Sequence, residues 1–165
     1  MPLDQAVALV AFVCICLAAG ALGGIFTSRA VKDWFPSLTK PRWNPPSWLF
    51  APVWTLLYIT MGLATWMIWR DEKLFSTAGY WFAGQLILNI AWSWLFFHLR
   101  RPDLAFYEIV LLCMSVFATV LLYWQANHVA GLLLIPYLVW VAFAAYLNYT
   151  IWQLNQPSPV TQNPG

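Results

Sequence analysis

The chain has 165 residues, of which 62% are hydrophobic and 8% are charged, with 8 Lys or Arg against 6 Asp or Glu. An average soluble domain carries roughly 25% charged residues, so a water-soluble globule of this size could not cover its surface, and an ordinary cytosolic enzyme and a disordered chain are excluded. A net charge of +2 is too small to bind nucleic-acid phosphates. A membrane helix needs roughly 20 apolar residues, and the apolar content is enough for about five.

In chain order, the first apolar run covers about residues 6–26. It is preceded by Asp4 and by no basic segment, and it is too long for the core of a cleavable signal peptide. Cys14 and Cys16 lie inside this run and Cys113 inside the fourth, where cysteine acts as a small apolar filler. A polar loop follows over residues 27–47, stiffened by Pro36, Pro41, Pro45 and Pro46. So long a connection is either a loop anchored at the membrane surface or a lid over a cavity, pinned by Trp43 and its neighbours Trp34, Phe35 and Trp48. Further spans are expected over about 48–69, 76–97, 104–125 and 130–153, giving one all-α membrane domain over residues 1–154, a bundle of five transmembrane helices. Residues 155–165 read as a disordered tail.

Tight connections make successive helices antiparallel. Arg29, Lys32, Lys40, Arg42, Arg100 and Arg101 fall at one end, and Arg70 and Lys73 at the other. The positive-inside rule then places the N-terminus outside and the C-terminus in the cytoplasm. The odd number of spans and the lack of a repeat argue against an inverted-repeat transporter.

Ionisable groups inside a bilayer are costly. Glu108 is the one candidate, read either as an ion pair with Arg100 or Arg101 or as a ligand or relay group. No span holds an internal Lys, so a retinal Schiff base is excluded. His98 and His128 lie at opposite ends and cannot share a metal; no metal site and no cofactor is expected.

Aromatic and amide stripes remain. Trp54, Tyr58 and Met61 share one face of the second span, and Gln85, Asn89, Trp92 and Phe96 one face of the third. Tyr137, Trp140, Ala144 and Leu147, with Asn148 beside them, make a third stripe. Such stripes either pack the helices with polar contacts or line a cavity for a flat, mostly apolar ligand. Gly20 and Gly24 form a GxxxG in the first span, and Gly79, Ala83 and Gly84 a small-residue face in the third. Both serve close contacts, within the bundle or in a homodimer.

The run Leu38, Lys40, Pro41, Trp43, Pro45, Pro46, Phe50, Pro52, Trp54, Leu57, Tyr58, Met61 and Gly62 resembles the signature of the TspO/MBR family, the tryptophan-rich sensory and translocator proteins that include the peripheral-type benzodiazepine receptor. Gln85, Leu86, Asn89, Trp92, Phe96 and Phe97 continue the match, as do Pro136, Tyr137, Leu138, Trp140, Phe143, Ala144, Leu147 and Asn148. The resemblance implies a five-helix bundle, commonly a homodimer, whose first loop closes a pocket for porphyrins such as protoporphyrin IX, haem, sterols or synthetic benzodiazepines. Trp54, Tyr58, Asn89, Trp92, Phe96, Trp140, Ala144, Leu147 and Asn148 are the pocket residues it implies, under a lid holding Trp43, Pro45 and Pro46. The implied function is tetrapyrrole binding for sensing, transport or disposal. Trp54 and Trp140 match the indoles that some members link to light-dependent porphyrin breakdown, which makes a porphyrin-degrading enzyme the alternative.

A sterol- or lipid-binding transporter is a further alternative. The sterol motif of animal members needs a basic residue soon after a fifth-span Tyr, and Tyr149 is followed by Thr150, Ile151, Trp152, Gln153 and Leu154. A reversed pattern at Arg101, Phe106 and Val110 is weak support. Without a basic C-terminal extension, the expected location is a bacterial cell envelope rather than the mitochondrial outer membrane.

Overall fold

The computed structural model describes residues 2–71 and 77–156. These form five α-helices and no strand: α1 (Leu3–Asp33), α2 (Ser47–Arg70), α3 (Thr77–Ser93), α4 (Pro102–Ala126) and α5 (His128–Leu154). Four of them, α1, α2, α4 and α5, are long and apolar enough to cross a membrane. Ser76, where the third expected span begins, and residues 157–165 of the expected tail lie outside the described residues.

Local chemistry sets the helix ends. The first helix does not stop at Phe26 but runs to Asp33, so the connecting loop covers residues 34–46 instead of 27–47. Its polar residues are compatible with a helix, because the Thr27 hydroxyl donates to the Gly23 carbonyl (2.9 Å) and the Ser28 hydroxyl to that of Ile25 (3.2 Å). The first proline after them, Pro36, falls in a short 3₁₀ turn over Phe35–Ser37. At the start of α4, Pro102 occupies the position where a missing N–H costs nothing. At the start of α5, Asn127 Oδ1 accepts from the amides of Val129 (3.0 Å) and Ala130 (3.2 Å). Beyond Ser93, α3 widens into a π turn over Trp94–His98, and Arg100 makes the turn into α4 with φ 54°.

The helices close a ring in the order α1, α2, α5, α4, α3, with α3 returning to α1. Gly62 lets α2 approach α1, since a Cβ there would lie 2.6 Å from Val13 Cα. The main core contains Met61, Ala64, Ile68, Val116, Tyr123 and Val141. A second cluster, of Phe35, Phe96, Ala105, Leu147 and Ile151, lies at the loop end. Large apolar side chains, among them Ile25, Leu56, Ile87, Met114, Phe117 and Val139, point outward. An apolar exterior on this scale suits hydrocarbon and not water.

Two tethers mark opposite ends of the ring. Asn155, just past α5, accepts from the Thr39 amide (3.0 Å) and donates to the Thr39 carbonyl (2.9 Å), holding the 34–46 loop against the end of α5. At the other end Asn127 donates to Asp71 (3.1 Å).

Candidate ligand cavity

A cavity of about 580 Å³ lies among α1, α2, α3 and α5, toward the end closed by the 34–46 loop. That volume falls within the range of small-molecule sites. Trp54 and Tyr58 of α2 line it one turn apart, their rings stacked at 5.7 Å and 28°. From α3 come Asn89 and Trp92, with Phe96 beyond them stacked on Trp92 at 5.4 Å. Phe96 stays on this wall although the π turn breaks the helical register. Ala144, Leu147 and Asn148 of α5 complete the part of the lining that the stripes mark.

The remaining wall is α1, which the aromatic stripes do not reveal. Gly20, Gly23, Gly24 and Thr27 all line the cavity. A Cβ on Gly20 would run into the Tyr58 ring, whereas Gly24 faces open space. The GxxxG spacing is the one sequence signal for this wall. In the structure it turns at least partly inward, to make room and not only to dock a helix.

Both cavity amides are held by the protein. Tyr58 donates to Asn89 Oδ1 (2.5 Å), Asn89 Nδ2 donates to the Tyr137 hydroxyl (3.0 Å), and Tyr137 donates to Gln85 Oε1 (2.7 Å). Asn148 Oδ1 accepts from the Trp92 indole (3.0 Å), and its amide donates to the Pro102 carbonyl (2.7 Å). These networks join α2, α3 and α5 and fix the orientation of Trp92. Buried amides find partners in this way because an unmatched one costs about 1–3 kcal/mol.

Trp140 is not among the lining residues. Its ring packs between Phe50 (6.0 Å, edge-on) and Phe143 (5.5 Å), and Phe50 rather than Trp140 meets the cavity. Its buried indole N–H has no acceptor among the described residues. Trp43 stacks flat on Tyr146 (5.1 Å, 6°), away from the lining, and Pro46 leads into α2. Pro45 gives its carbonyl to the Asn44 amide (2.8 Å) and likewise does not line the space. The loop residue that reaches the cavity is Phe35, which is buried and packs on Phe96 (6.3 Å) and Phe97 (6.0 Å). Lys40 holds Phe35 in place by donating to the carbonyls of Phe35 and Leu38, each at 2.7 Å, with its ammonium 4.9 Å from the Phe35 ring.

Glu108 makes no ion pair with Arg100 or Arg101. Arg101 instead grips Asp103 with two hydrogen bonds, of 2.9 and 2.6 Å, because that carboxylate is two residues away at the same helix start. Glu108 lies deeper in α4, and both its carboxylate oxygens are shielded without a partner among the described residues. His98 stacks beside Trp94 at one end of the ring, and His128 packs against Trp124 at the other.

An all-helical integral membrane protein with an aromatic-walled cavity beneath a pinned loop is the class this architecture defines. The chain belongs to the TspO/MBR family, whose family model matches residues 12–153. It is 43% identical over 145 residues to the "Tryptophan-rich protein TspO" of Chlorobaculum tepidum, covering 86% of this chain and 91% of the relative. It is 42% identical to the "Translocator protein" of Sus scrofa, with 82% and 85% covered. It is 38% identical to "Protein CrtK" of Rhodobacter capsulatus, with 88% and 92% covered.

Proposed function

We propose that the protein binds a planar, mostly apolar ligand of the tetrapyrrole class, such as protoporphyrin IX or haem, in the cavity among α1, α2, α3 and α5. The observation that carries this reading is the wall made by Trp54, Trp92 and Phe96 around a space of about 580 Å³. Indole and phenyl faces supply stacking area for a flat guest. Binding serves sensing, movement or disposal of the ligand, and the translocator name of one relative fits the second of these.

In this reading all five helices cross the membrane. With its π turn, α3 continues from Thr77 to His98, about 33 Å at the helical rise, which matches a hydrocarbon core of roughly 30 Å. The end that carries Arg29, Lys32, Lys40, Arg42, Arg100 and Arg101 faces the cytoplasm of a bacterial cell. Gly79, Ala83 and Gly84 on α3, where a Cβ on Gly84 would meet nothing, form the face for a second copy.

Titrating the purified protein with protoporphyrin IX tests the reading. Saturable quenching of Trp emission is expected, reduced by Trp54→Phe together with Trp92→Phe. Binding unaltered in that double variant, followed through porphyrin absorbance, places the ligand elsewhere.

A further inference from the structure

The cavity has one charged lining residue, Lys32, in the last turn of α1. Ser47 and Ser93 add neutral hydroxyls to the wall and Trp54 an indole N–H, while most of the other polar groups there are already engaged. The hydroxyls of Thr27, Ser28 and Thr55 donate to carbonyls of their own helices. The Tyr58 hydroxyl donates to Asn89, and Asn89 and Asn148 each both donate to and accept from protein partners. Lys32 makes no ion pair or hydrogen bond among the described residues. Its side chain is exposed, so it stands at the cavity rim, on the helix that supplies the open wall around Gly24.

An ammonium with three free donors beside an apolar space favours one kind of guest: a flat apolar body with an anionic edge. The body lies against Trp54 and Trp92, and the edge reaches the rim, where it is not stripped of water. We infer that Lys32 is the anion anchor of the cavity and selects planar ligands that carry a carboxylate at one edge over neutral ones of the same shape. This rests on the planar-ligand reading above and adds to it the residue that sets charge preference.

The experiment compares protoporphyrin IX with its dimethyl ester, which has the same macrocycle and no carboxylate. Binding to wild type, Lys32→Gln and Lys32→Arg is followed in a non-ionic detergent. Wild type and Lys32→Arg are expected to bind the acid about two- to fivefold more tightly than the ester, the strength of an exposed charge contact. Lys32→Gln should lose that preference while its affinity for the ester stays that of wild type. Equal binding of acid and ester by wild type, or a preference that survives Lys32→Gln, overturns the assignment and leaves the cavity reading intact. If neither compound binds wild type, the cavity reading falls and the anchor with it.

Discussion

The Asn89 amide donates to the Tyr137 hydroxyl across 3.0 Å, joining α3 to α5 beside the cavity. Tyr137 is 1% exposed, and its own hydroxyl donates in turn to Gln85 Oε1. Tyr137→Phe keeps the ring packing but leaves Asn89 Nδ2 and Gln85 Oε1 each one partner short. Hydrogen bonds between membrane helices average about 0.6 kcal/mol, and unmatched buried groups cost about 1–3 kcal/mol. The variant should therefore lose about 1–2 kcal/mol of stability. A thermal unfolding series in detergent reads this as a lower Tm, and an unchanged Tm would show that the chain of bonds is dispensable.

Gly20 and Gly24 lie one turn apart on α1 but meet different surroundings. A methyl group on Gly20 strikes the Tyr58 ring, and Tyr58 is fixed from behind by its bond to Asn89. A methyl group on Gly24 enters open space. Gly20→Ala should therefore lower stability by about 1–3 kcal/mol, the usual cost of overpacking. It should also weaken ligand binding by tilting the Tyr58 and Trp54 pair. Gly24→Ala should keep wild-type stability, and Gly24→Leu should compete with the ligand for volume. Equal Tm values for the two Ala variants would contradict this division of α1.

The α2 and α3 walls were legible in the sequence because an aromatic or amide every third or fourth residue can be read as one helix face. Trp54, Tyr58, Asn89, Trp92 and Phe96 all meet the same space. The α1 wall was not, because glycine marks a place where helices come close or where room is left, and sequence does not separate the two. The fate of Trp140 was also hidden. It shares a periodic face with Tyr137 and Ala144, yet Phe50 from another helix comes between it and the cavity. Asn89 and Asn148 were recognisable as inward-facing amides, but their partners sit on other helices and on a backbone carbonyl, beyond the reach of spacing arguments.

The two indoles singled out by family resemblance should therefore behave differently. Trp54 lines the cavity and stacks on Tyr58, so Trp54→Phe removes stacking area from the ligand and is expected to weaken protoporphyrin binding about three- to tenfold. Trp140→Phe acts on the cavity only indirectly, through its neighbours Phe50 and Phe143, and should change affinity less than twofold. If the protein also breaks down porphyrin under light with dioxygen as oxidant, the same order should hold for loss of the porphyrin absorption band. Trp140→Phe slowing bleaching more than Trp54→Phe would require an approach to Trp140 that bypasses Phe50.

Glu108 has both carboxylate oxygens shielded and no partner among the described residues, with Arg101 committed to Asp103. A buried carboxylate without a counter-charge is destabilising, whereas a neutral side chain of the same shape carries a smaller desolvation cost. Glu108→Gln should therefore give a Tm equal to or above that of wild type, with porphyrin affinity unchanged, since Glu108 does not line the cavity. A structural ion pair predicts the opposite, because removing one member of a buried pair costs about 3–5 kcal/mol. A clear drop in Tm for Glu108→Gln would mean that the carboxylate has found a partner, and Arg100→Gln and Arg101→Gln, measured alongside, would show whether that partner is one of these arginines.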